Sequence, residues 1–235
     1  MDKQEFKNLQ IGEIVADDFR TSKVFTEAGI DFCCGGKQSV GEACKDLGID
    51  VVVLQNKIGE IQQEPVSHAL NFKEWDLPFL IDYIVNTHHK YVKNTLPDLK
   101  FYTRKIADVH GENHPELIDI TAKVHAVAAE LEQHLKNEEE VLFPAIKNYL
   151  LSPNPQDAKT IESEITRMFG EHDFAGGTLD EVNRITDGYQ LPEDACNTYL
   201  VAFKLLQQFE DDIHVHVHLE NNILFPKALK LNETY

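Results

Sequence analysis

The chain has 235 residues, 40 of them acidic and 22 basic, for a formal charge of −18. That charge argues against nucleic acid or an anionic membrane as partner, and no apolar run approaches the roughly 20 residues of a membrane span. Four cysteines, two of them adjacent, make no disulfide framework at this length, and the polar start Met1–Lys7 lacks an apolar signal core, so a reducing cytoplasm is expected.

The length allows one large domain or two modest ones. Glycine and proline punctuation predicts a small helical domain over residues 1–61, with short helices at Lys3–Gln10, Ala16–Ala28, Ser39–Gly48 and Val51–Ile61. Residues 62–76 are polar, carry Pro65 and read as a linker. Asp76 then reads as the N-cap of a helix that tolerates Pro78 in its first turn. Residues 77–235 carry four long helices: Leu77–Val109, interrupted or kinked at Pro97; a second opened by Pro115 and reaching Leu150; Lys159–Thr186; and Pro192–Leu229. The expected fold class is all-α, an up-and-down four-helix bundle preceded by a small helical domain. The alternation at Ile213–Val217 is rejected as a strand because a helical stripe continues on both sides.

Between two of the short helices lies Asp31-Phe-Cys33-Cys34-Gly35-Gly36-Lys37. The nearby helix start and Lys37 are expected to favour thiolate. Adjacent cysteines bridge only through a strained ring, so redox exchange or transient soft-metal binding at Cys33 and Cys34 is preferred to a structural disulfide. Cys44 is a candidate third thiol nearby, and Cys196 is expected in the core at the start of the fourth long helix.

The strongest signal is a repeat. His134-Leu-Lys-Asn-Glu138, running on to Leu142-Phe143-Pro144, is matched by His216-Val-His-Leu-Glu220, running on to Leu224-Phe225-Pro226. On a helix each His shares a face with the Glu four residues later. That face is apolar in both copies: Val124, Val127, Leu131, His134, Glu138, Val141 and Ala145 in the first, and Tyr199, Ala202, Leu206, Phe209, Ile213, His216, Glu220 and Ile223 in the second. Burying two bare carboxylates in such stripes is very costly unless a cation sits between them. Two further stripes carry one His each, Val85-His89-Val92-Leu96 and Ile161-Ile165-Met168-His172-Ala175-Leu179-Val182. A lone His on an apolar face is ordinarily a hydrogen-bonded core residue. Here four fall near the middles of four helices that an antiparallel bundle brings to one level. His89, His134, His172 and His216 with Glu138 and Glu220 then suit two closely spaced first-row metal ions. His214 and His218 sit about 200° from His216 on the helix and are read as surface or supporting residues. His88 faces off its stripe, His110 is about 31 Å along a straight helix from His89, and both are left outside the ligand set. His114 and His125 are read as surface residues.

Asp31-Phe-Cys33-Cys34-Gly35-Gly36 in a leading domain, followed by His89, His134-x-x-x-Glu138, Glu171-His172-Asp173 and His216-x-x-x-Glu220-Asn-Asn, resembles the repair-of-iron-centres family over nearly the full chain. The resemblance implies a hemerythrin-like bundle with two non-haem iron ions, Fe2+ or Fe3+. Its terminal ligands would be His89, His134, His172 and His216, and its bridging carboxylates Glu138 and Glu220, with an oxo bridge also open. It implies repair of iron–sulfur clusters damaged by nitrosative or oxidative stress, by donation of iron, with Cys33 and Cys34 serving transfer or redox exchange. Damaged iron–sulfur proteins are the expected partners, NO or O2 the small ligands, and a homodimer is open. Two alternatives stay open beside the donor: a di-iron nitric oxide reductase, which would make the protein an enzyme, and a dioxygen or NO carrier or sensor.

Overall fold

The computed structural model describes residues 3–63, 65, 66 and 70–231. Met1 and Asp2 of the polar start and residues 64 and 67–69 of the expected linker lie outside the described residues. Among the described residues every regular element is helical, apart from one isolated bridge between Gln10 and Ser39. No described helix is long and apolar enough to cross a membrane. The chain divides into two compact units, Met1–Ile81 with Val215–Tyr235, and Asp82–His214.

The first unit opens with α1 (Lys3–Asn8), α2 (Ile11–Asp17) and α3 (Ser22–Glu27). The expected single helix over 16–28 is broken at Asp18, whose backbone is extended (φ −148°, ψ 97°). Its carboxylate accepts from the Arg20 backbone N–H at 3.1 Å, a donor that a helix would have used, and from the guanidinium at 2.7 and 2.8 Å. Burial of Ile11, Ile14 and Val15 starts α2 earlier than expected. α4 (Val40–Leu47) has a Ser39/Glu42 capping box and ends at left-handed Gly48, where φ is +68°. α5 (Val51–Ile61) is capped by Asp50, and α6 (Leu77–Ile84) opens with the Phe79 N–H donating to Asp76 Oδ1 at 2.8 Å. α12 (Phe225–Lys230) belongs to this unit, where Lys227 Nζ donates to the carbonyls of Lys73 and Trp75, each at 2.6 Å.

The second unit is built from α7 (Lys90–His110), α8 (Glu116–Asn137), α9 (Phe143–Leu151), α10 (Pro155–Ile185) and α11 (Asn197–Leu219), the last as far as His214. Cross-helix pairs show neighbours running in opposite directions. Thr103 with Thr121, Lys100 with Glu132 and Lys93 with Glu139 join α7 to the strand of chain from α8 onward. Lys123 with Glu181 and His134 with Glu171 join α8 to α10, Asn183 with Glu210 joins α10 to α11, and Tyr91 stacking on Phe209 joins α11 to α7. α7 passes through Pro97 without the expected interruption, because buried Leu96 and Leu99 hold it on both sides of the missing donor. α10 begins at Pro155 because Asn154 caps it, accepting from the Asp157 N–H at 2.9 Å. α11 begins at Asn197, five residues past Pro192.

Among the described residues, π-turns interrupt the helices at Val85–His89, Glu138–Leu142 and Glu220–Leu224. The last two each precede a proline, Pro144 and Pro226, whose ring has no N–H and displaces the carbonyl four residues back. The wide turn inserts one extra residue, so the stripe shifts register. Val141, expected inside, is 40% exposed, while Leu142 is fully buried. Each of these two turns begins at the glutamate of the repeated motif.

Candidate metal centre

In the second unit, His89, His134, Glu138 and His172 converge with at most 2% of any residue exposed. Glu138 Oε2 lies 3.3 Å from His89 Nε2 and 3.3 Å from His134 Nε2, and His172 Nε2 lies 3.2 Å from His134 Nε2. Outer carboxylates fix the rings. Glu139 Oε1 is 2.8 Å from His89 Nδ1, and Glu171 Oε2 is 2.7 Å from His134 Nδ1. Burial alone would raise both glutamates, but Lys93 and His89 hold Glu139 below the usual carboxylate range. His134 and Arg167 do the same for Glu171. As ionised acceptors these two carboxylates assign the proton of each ring to Nδ1 and turn the Nε2 lone pairs inward. Lone pairs of His89 and His134 thus face a buried carboxylate, and acceptors at 3.3 Å repel unless a cation lies among them. This donor set fits a first-row metal ion.

Glu139 and Glu171 are the residues that sequence periodicity passes over. Glu139 hides in the run Glu138-Glu139-Glu140, and Glu171 adjoins His172 without facing the same way.

In the first unit His216 Nε2 lies 3.0 Å from Glu220 Oε1, both buried. The π-turn that starts at Glu220 also carries Asn222, whose Nδ2 is 3.2 Å from the carbonyls of Phe32 and Cys33 and 3.1 Å from His218 Nδ1. Room for that amide comes from Gly12 and Gly36, where a Cβ would stand 2.3 and 2.6 Å from Asn222 Oδ1. The cysteine loop is therefore tied to the turn that carries a candidate ligand. His218, read from sequence as surface or supporting, is fully buried against the rings of Phe19 and Phe32, and burial pushes its pKa down to about 4.

Cys33 is buried and Cys34 half-buried, with Sγ atoms 3.9 Å apart. Asp31 Oδ1 accepts from the N–H groups of Cys33 (2.8 Å) and Cys34 (3.1 Å), and Oδ2 from Gly35 N–H (2.7 Å). The expected thiolate is not found at Cys33. Its hydrogen bond with Cys34, burial and the neighbouring Asp31 charge push the thiol well above its ordinary value. Asp31 already occupies the amide donors that would have stabilised a thiolate. Donor atoms of Asp31, Cys33 and Cys34 lie within 4.8 Å of one another, a cluster that excludes Cys44, which is buried in α4. Cys196, expected in the core, is exposed immediately ahead of α11.

Among the described residues of this unit, the other histidines pair elsewhere or are exposed. His88 is buried with Nδ1 3.0 Å from Asp212, His214 lies 3.6 Å from Asp180, and His110 Nε2 is 3.2 Å from Cys196 Sγ. His114 joins Glu116 and Asp194 at 3.1 and 2.9 Å, and His125 is exposed.

The fold and the buried imidazole and carboxylate donors define a cation-binding helical bundle of the hemerythrin type. A family model described as the hemerythrin HHE cation binding domain matches residues 80–228, and one described as ScdA_N, a domain of unknown function (DUF542), matches residues 7–62. The chain belongs to the repair-of-iron-centres family. It is 34% identical over 226 residues to the iron-sulfur cluster repair protein YtfE of Yersinia pestis (strain Pestoides F), covering 96% of this chain and 99% of that protein. It is 33% identical, with the same coverage, to the protein of that name from Yersinia pseudotuberculosis serotype O:1b (strain IP 31758).

Proposed function

We propose that this protein repairs damaged iron–sulfur clusters by donating iron, held before transfer by His89, His134, Glu138, His172, His216 and Glu220 as a pair of ions. The observation that carries the reading is the position of Glu138, a fully buried carboxylate 3.3 Å from the inward nitrogens of two imidazoles whose outward nitrogens face carboxylates. His216 and Glu220 supply the same ligand types in the same sequence spacing. The printed name of the relatives, iron-sulfur cluster repair protein, supports the role of the whole chain.

Imidazole and carboxylate donors suit iron in either oxidation state, and iron supplies the missing metal of a depleted cluster. The residues' part is to hold it reversibly. Neutral imidazoles release a cation when they protonate, and six protein donors for two ions leave positions open to an incoming ligand. Asn222 ties the cysteine loop to the turn that begins at Glu220, and the half-buried Cys34 is the outward soft donor of that loop. Soft thiolate then competes for Fe2+ on the way to a recipient.

The test mixes iron-loaded protein with an enzyme whose cluster has been damaged by NO, following recovered activity and nitrous oxide together. Recovery stoichiometric with iron lost from the protein is expected. Nitrous oxide formation without recovery would replace the donor with a nitric oxide reductase.

A further inference from the structure

One thiol outside the metal centre and outside the vicinal pair has the surroundings of a nucleophile. Cys196 is exposed and occupies the N-cap position of the 23-residue α11, where its carbonyl accepts from the Leu200 N–H at 3.1 Å. The backbone amides of Thr198 and Tyr199 in the first turn of this helix favour a negative charge on the sulfur. A different helix brings the imidazole: His110, at the end of α7, places Nε2 3.2 Å from Sγ. The Tyr199 ring, 5.3 Å from His110 between centroids and nearly perpendicular to it, walls the imidazole on one side. A second imidazole, His114, has its ring 6.5 Å from that of His110 and is held by Asp194 and Glu116.

We propose that Cys196 and His110 form a reactive thiol–imidazole pair, the imidazole taking the thiol proton, that exchanges with low-molecular-weight disulfides. The sulfur of Cys196, as thiolate, attacks one sulfur of the disulfide RSSR. A Cys196–SR bond forms, the S–S bond of the reagent breaks, and its electron pair leaves on RS−, which can take the proton from His110. Cys196 is oxidised to the mixed disulfide and the reagent is reduced to one thiol. The iron centre takes no part, since His89 lies 21 residues before His110, roughly 31 Å along a helix.

His110 and the first-turn amides outweigh the burial that opposes ionisation of the sulfur. The hydrogen bond from His110 lowers Cys196 to about 7, the amides of Tyr199 and Thr198 adding to it. Asp194 and Glu116 raise His114 and favour its cation, and burial pushes Tyr199 up to about 12, leaving it neutral. Asp194 and Glu116 flank the neighbouring His114, so a cationic disulfide approaches more readily than an anionic one. The contrast with Cys33, which is buried and raised, makes Cys196 the thiol of this chain expected to react first near neutral pH.

The experiment treats the full iron-loaded chain with cystamine over a range of pH and locates the adduct by peptide mass spectrometry. Cys196 should carry it, at a rate that rises through an inflection near 7. His110→Ala should slow the reaction at neutral pH by about tenfold and move the inflection toward the ordinary thiol value of about 8.5. Helicity and iron content should be unchanged in that variant. A modification confined to Cys34, a rate in His110→Ala equal to that of the wild type, or a wild-type inflection at 8.5 or above would each overturn the proposal. The last needs no variant to fold.

Discussion

Glu171 Oε2 lies 2.7 Å from His134 Nδ1, and that contact decides which nitrogen of the ring can serve a metal. The glutamate is itself held by Arg167, 2.6 Å from its other oxygen, so a three-residue relay runs from the half-exposed guanidinium to the buried imidazole. Glu171→Gln keeps the shape but removes the charge that fixes the Nδ1 proton. Metal affinity should fall by about 10- to 100-fold, the usual effect of losing such an outer partner. Competition titration with a chelator measures it. Unchanged affinity would mean that packing alone orients His134.

The buried carboxylates give a second prediction. The iron-loaded protein should contain two irons, and Glu138→Leu or Glu220→Leu should lose iron while staying helical. Without the cation an apolar side chain suits the stripe better than a carboxylate, and stability of the metal-free form should hold or rise by about 1–4 kcal/mol. Metal analysis and urea unfolding followed by circular dichroism report the two effects separately. Full iron retention in either variant would remove that residue from the ligand set.

A third prediction concerns the vicinal thiols. Cys33→Ala/Cys34→Ala should retain the iron and its spectrum but lose the ability to reactivate a damaged cluster enzyme at equal iron loading. In the wild type, the raised Cys33 stays protonated and alkylates slowly near neutral pH. Equal reactivation by the variant would leave the pair structural.

The close approach of Gly12 and Gly36 to Asn222 can be tested by packing. Gly12→Ala would put a carbon 2.3 Å from Asn222 Oδ1 and 3.1 Å from the Gly36 carbonyl. The amide must move and give up its bonds to Phe32, Cys33 and His218, at a cost of about 1–3 kcal/mol. In an Asn222→Ala background the same substitution should cost less than half as much. Equal costs in the two backgrounds would show that Asn222 does not hold the loop.

The sequence by itself determined the elements that depend on local chemistry and periodicity. Ser39, Gly48, Val51 and Asp76 mark helix ends that the structure reproduces, because a cap is satisfied within a few residues of itself. The stripes through His172 and His216 are buried throughout, since apolar spacing reports one face of a helix. Where that spacing fails, at Val141 and Leu142, a proline further along has forced a π-turn, and period 3.6 no longer applies. Tertiary structure alone decided the rest. Glu139 and Glu171 become partners of His89 and His134 across helices, the first from 50 residues away and the second from 37. His110 meets Cys196 across 86 residues, and Asn222 meets Cys33 across 189. No periodicity encodes such pairs, because which outward-facing side chains touch depends on how helices are set against one another, and that is fixed by packing summed over the whole core.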